Sequence, residues 1–181
     1  MKRKQKKQKM FDFKWVLFIT VCAFLISFGF SLFSETIIPN VPLIVAIIVL
    51  VLFILLGILF DIIGIAVTVS DPKVFHAQAS KKKKGARLAI RLIKNANKVS
   101  SFCNDVIGDI CGIISGATGV TIVTILVATF HWNMLFTSLL ITALIAACTI
   151  GGKALGKGFA MQKSNLILEK FAFFLSIFDR R

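Results

Sequence analysis

All 22 basic residues of this chain fall in three blocks separated by long apolar runs. Seven lie in residues 2–14, nine in 73–98 and six in 153–181, while 15–72 and 99–152 contain none. A nucleic-acid-binding surface does not require that segregation, so the net charge of +14 does not point to nucleic acid. A membrane protein does require it, because Lys and Arg concentrate in the loops that stay on the cytoplasmic side. With 57% apolar residues and 18 phenylalanines, the chain reads as an all-α integral membrane protein. The pattern predicts about four transmembrane helices plus cytoplasmic interfacial helices. It places both termini on the cytoplasmic side of the cell membrane and makes anionic lipid headgroups the commonest partner of the basic blocks.

The basic tail at 1–14 leads into a first apolar stretch at 15–33. That stretch is longer than a signal-peptide core and no A-x-A-like cleavage site follows it, so a retained signal anchor is expected. SETIIPN (34–40) makes an outer turn, and a second apolar run extends from Val41 to Val69. This run exceeds the roughly 20 residues needed to cross hydrocarbon, so its end extends towards the cytoplasm or packs on other protein. Asp71-Pro72 is an N-cap with a first-turn proline, and KKKKG breaks the following segment at Gly85. Beyond the break, Arg87, Arg91, Lys94 and Lys98 share one stripe and Ala89, Ile93 and Ala96 another. The segment 71–98 therefore reads as a helix-turn-helix lying flat at the interface, with a solvated basic loop as the alternative. A third span runs from about Ser101 to Thr129, HWN turns around Trp132, and a fourth span runs from Met134 to Gly151. The tail at 161–181 reads as a second interfacial helix.

Three of the eight acidic residues, Asp61, Asp105 and Asp109, fall inside spans or at their inner ends. A charge at membrane depth costs roughly 2.5–3.5 kcal/mol on insertion scales and so faces a bundle interior or water. Asp105 and Asp109 are spaced i, i+4 on a face that Gly112 and Gly116 continue. On the preceding span Gly57, Asp61, Gly64 and Thr68 form a similar face, and small faces let helices approach closely. Packed together, the two faces would gather Asp61, Asp105 and Asp109, with Asn104 and Ser101 nearby. These are hard oxygen ligands suited to Mg²⁺, and no His lies in the spans to favour zinc or copper. The competing readings are carboxylates at headgroup level paired with Lys98 or Lys153, and a glycine face that serves packing alone. The glycines of the third span (Gly108, Gly112, Gly116, Gly119) also suggest a homodimer contact.

Cys22, Cys103, Cys111 and Cys148 lie in apolar runs without CxxC spacing and read as small buried hydrophobes. His76 and His131 stand alone. No nucleophile elbow, phosphate loop or HExxH motif is present, so neither an enzyme nor an organic cofactor is expected.

In three places the chain resembles the transmembrane domain of the CNNM/CorB/CorC family of magnesium transport proteins. FDIIGIAV (60–67) resembles its F-S-G-S-E-T-A-L, GARLAIRLIKNANKV (85–99) its G-x-x-A-x-x-x-L-x-x-N-P-x-x-L, and GKALGKGFA (152–160) its G-E-x-L-P-K-x-x-A. The order of spans in 41–160, with a helix-turn-helix between the first two, is similar as well. The resemblance implies a dimer and a bound or transported Mg²⁺, with the span at 15–33 as an addition. Asp61 stands where the family has Ser and Gly64 where it has Glu, while Lys153 replaces an acidic residue and Gly156 a proline. The family's metal-binding asparagine corresponds to Asn104 or Asp109, depending on the gap. Its nucleotide-binding CBS pair has no counterpart in this sequence, so ATP regulation through such a pair is not expected.

Two functions follow as expectations. The first is a CNNM/CorB-like membrane protein handling Mg²⁺ or a related divalent cation, with Asp61, Asn104, Asp105 and Asp109 as ligands and Lys153, Ser101 and Thr68 as neighbours. The second is a non-transporting homologue acting as a membrane scaffold or regulator. Lys153 separates them: beside the aspartates it supplies their counter-charge, and away from them it leaves them free for a cation.

Overall fold

A computed structural model describes residues 13–37 and 42–178. The remainder of the basic tail, the middle of the outer turn and the last three residues lie outside the described residues. All regular structure among the described residues is helical: α1 (Phe13–Ile37), α2 (Leu43–Val69), α3 (Pro72–Ser80), α4 (Ala86–Lys94), α5 (Ala96–Ser101), a π-helical turn (Phe102–Gly108), α6 (Asp109–Phe130), α7 (Met134–Gln162) and α8 (Ser164–Phe178). The chain is an all-α membrane protein. Leu43–Val69, Ala96–Phe130 and Met134–Gln162 are each long and apolar enough to cross a bilayer. Much of their surface is exposed Leu, Ile and Phe, such as Ile44, Phe136, Leu139 and Leu140, which a lipid solvent leaves without cost.

α2 is the centre of the bundle, packing on both α6 and α7. At its start Ala46 is buried against Ile122 of α6. α1 covers another face of α6, where Ile19, Ala23 and Ile26 meet Val106, Ile110 and Ile114. At about 1.5 Å per residue, a helix of the length of α2 outruns the ~30 Å hydrocarbon layer. Its surplus end is accounted for by protein: Ile63 and Val67 form a core with Phe75 of α3, Ala89 of α4, Cys103, and Leu168 and Ala172 of α8.

The helix-turn-helix forms where the sequence signals it. The Asp71 side chain accepts from the Lys73 backbone N–H at 2.9 Å, with Pro72 in the first turn of α3. The break at Gly85 is conformational, since Gly85 has φ +82°. A Cβ there would also stand 2.9 Å from the Phe173 backbone nitrogen, so α8 crosses this turn in backbone contact.

Two sequence expectations change. The fourth span does not end at Gly151, because α7 runs unbroken to Gln162. Its glycines act as packing surface: side chains at Gly152 and Gly156 would collide with Ile58 and Ile62 of α2. The tail helix is also more than an interfacial float. α8 buries Leu168 and Ala172 and is tied down by Glu169, which accepts from Lys83 Nζ at 2.6 Å and Gln78 Nε2 at 2.7 Å. The Asp71 backbone N–H also donates to Asn165 Oδ1 at 3.1 Å.

Candidate polar site between α2 and the π-helical turn

The α2 face read from the sequence is the one that packs. Gly57 and Gly64 are buried, and Asp61 between them is half-buried. A Cβ on Gly57 would lie 3.2 Å from Cys111 Cβ and 3.8 Å from the Gly108 carbonyl oxygen. A Cβ on Gly64 would collide with the amide of Asn104, which fills the space of the missing side chain. Residues 57, 61 and 64 follow the helical repeat, so Asp61 lies on the wall that faces the stretch from Asn104 to Gly108.

Asn104 sits in the π-helical turn. Its Nδ2 donates to Ser100 Oγ at 3.3 Å, while Oδ1 is buried and has no hydrogen-bond partner. Most buried polar atoms are paired, so an orphaned acceptor on a helix–helix wall calls for a donor, a water or an ion. Ser100, rather than the expected Ser101, is the neighbouring hydroxyl. Thr68 is exposed and its hydroxyl donates to the Ile65 carbonyl, so it does not join this wall.

Lys153 reaches in from α7. It is half-buried, and its Nζ lies 3.6 Å from where a Cβ on Gly108 would stand. It makes no ion pair within 4.0 Å with Asp61, Asp105 or Asp109. The Lys98 ammonium lies over the Trp15 ring, 4.6 Å from the centroid. The expected pairing of the aspartates with Lys153 is therefore not formed.

Asp105 and Asp109 do not gather with Asp61. Both are exposed, as are Gly112 and Gly116, which have open space around them. The helix face that meets α2 is the neighbouring one, carrying Asn104, Gly108, Cys111 and Ser115, all but Asn104 fully buried. Among the described residues no three His, Cys, Asp or Glu side chains come together as a metal site. The expected glycine contact divides for the same reason. Gly119 packs on Ile145 of α7 and Gly108 on Lys153, while Gly112 and Gly116 remain open.

In comparisons with family models, curated proteins and solved structures, none matches this chain.

Proposed function

We propose that this chain is a small CNNM/CorB-like membrane protein that handles Mg²⁺ or a related divalent cation, through the polar wall of Asp61, Asn104 and Ser100. The observation that carries the reading is the buried, unpartnered Oδ1 of Asn104 on the bare backbone of Gly64. A buried amide oxygen left without a donor costs about 1–3 kcal/mol, which a cation or one of its bound waters recovers. Asp61 supplies the negative charge on the facing wall, and a hydrated Mg²⁺ keeps several waters, so few protein ligands suffice. In this reading α1 is a fourth span, both termini and 71–98 are cytoplasmic, and the protein acts as a homodimer.

One observation favours a second reading. The Lys153 ammonium beside Gly108 supplies a tethered positive charge to the same wall, as a scaffold that moves no ion would need. Proteoliposomes loaded with a Mg²⁺-sensitive dye separate the two. The transport reading expects influx with the parent and loss with Asp61→Asn. No influx with the parent, but influx with Lys153→Met, makes Lys153 the resident cation and the parent a scaffold.

A further inference from the structure

The turn between α3 and α4 and the last turns of α8 enclose a groove of ≈ 770 Å³. Its rim is Lys82, Lys83, Lys84, Arg87 and Arg91, and its floor includes Leu88, Phe173 and Ile177. Among the described residues no carboxylate lines it. Lys82, Lys84 and Arg87 are exposed, whereas Lys83 is engaged by Glu169, which lines the adjoining cavity with Lys84 and Phe173. Phe173 and Ile177 are 48% and 60% exposed and continue the row of Leu166 and Phe174 along the outer face of α8. Cations directly above exposed apolar side chains match an anionic headgroup joined to an acyl chain. A free phosphate uses only the upper half of that arrangement, and a soluble acidic polymer has no use for the apolar row.

The groove is a fixed feature of the fold. Gly85 turns the chain with a positive φ and lets the α8 backbone pass against it, so the basic rim and the apolar row are held side by side. Gly85 also caps α4 without a side chain, which leaves the positive end of that helix facing the same groove.

We propose that this groove is a binding site for one anionic phospholipid, its phosphate held by Lys82, Lys84 and Arg87 and one acyl chain lying along Phe173 and Ile177. Basic residues next to a membrane each add to the attraction of anionic headgroups, and here they converge on one place. The site is independent of the cation reading, because it lies on the outside of the helical cap and shares no residue with the Asp61 wall.

Native mass spectrometry of the full chain in detergent, titrated with dioleoylphosphatidylglycerol or dioleoylphosphatidylcholine, tests the proposal. One phosphatidylglycerol should be retained in preference to phosphatidylcholine. The variant Lys82→Gln/Lys84→Gln/Arg87→Gln should weaken that retention by about tenfold or more. Lys73→Gln/Lys94→Gln/Lys157→Gln, which removes equal charge elsewhere, should leave it unchanged, and so should inorganic phosphate at millimolar concentration. Phe173→Gln/Ile177→Gln should weaken retention while the melting temperature stays near that of the parent. Equal loss in the two charge triples overturns the site in favour of diffuse attraction. Full competition by inorganic phosphate overturns the lipid as its ligand.

Discussion

The amide of Asn104 occupies the space above Gly64 that any larger residue would need for its side chain. The two residues, one on α2 and one in the π-helical turn, set how closely these elements approach. Gly64→Ala should therefore lower stability, by about 1–3 kcal/mol as for other overpacked cores. Asn104→Ala should relieve part of that loss, so the double variant should be more stable than the sum of the single changes predicts. Thermal unfolding of the purified variants measures the coupling, and strict additivity would show that the two residues do not touch.

A matched pair of glycine changes tests the length of α7. Gly156→Val should destabilise strongly, because Ile62 already presses on the bare backbone there, whereas Gly158→Ala meets open space. The second change should be neutral or stabilising by about 0.5–1 kcal/mol, the usual gain when Ala replaces Gly within a helix. If Gly158→Ala is as damaging as Gly156→Val, α7 does not run through this stretch as a helix.

The tie between α8 and the helix-turn-helix should depend on pH. Hydrogen bonds from Lys83 and then Gln78 hold the Glu169 carboxyl below its ordinary value of 4.5. A lowered carboxyl pKa contributes stability that is fully present above that ordinary value and is lost as pH falls through the lowered one. The pair is partly exposed, at 52% for Lys83 and 28% for Glu169, so its contribution should be about 0–1 kcal/mol. Glu169→Gln should speed amide exchange in α8 at neutral pH, and the difference from the parent should vanish in acid. A difference that persists unchanged in acid would assign the effect to packing instead.

Much of the fold was legible because its causes are local. The charge blocks bound the apolar runs, Asp71-Pro72 starts α3, and the glycines at 57 and 64 with Asp61 mark the packed face of α2. The partner face of α6 was read one residue away from where it lies. The i, i+4 pair Asp105 and Asp109 drew attention to its own stripe, while the adjacent stripe of Asn104, Gly108, Cys111 and Ser115 is the buried one. Nothing in FCNDVIG announces a π-helical turn, and such a turn changes which residues face inward. The fourth span reads as ending at Gly151 because the apolar run stops there, yet Gly152 and Gly156 continue the helix and are the surface on which α2 seats its isoleucines. The docking of α8 through Glu169 joins residues 86 and 91 positions apart, a pairing that no local pattern reveals.

Topology is open to direct labelling. Cysteine placed at Lys81, an exposed position in the basic turn, should react with a membrane-impermeant maleimide only after the cytoplasmic face is opened. Cysteine at Trp132, exposed in the turn between α6 and α7, should react from outside in a chain otherwise freed of cysteine. The reverse pattern would put the basic turn outside the cell and overturn the cytoplasmic placement of 71–98.

The proposed function rests on a cation held by Asp61 and Asn104 between α2 and the π-helical turn. Its most direct test is the thermal unfolding of the purified chain over a MgCl₂ titration, because a ligand that binds only the folded state raises the melting temperature with concentration. Parent and Asp109→Asn proteins should both rise by several degrees, since Asp109 is exposed away from the α2 wall. Asp61→Asn, which keeps the size of the side chain and removes its charge, should lose most of that rise. If Asp61→Asn is stabilised by Mg²⁺ as fully as the parent, the wall between α2 and the π-helical turn does not hold a cation.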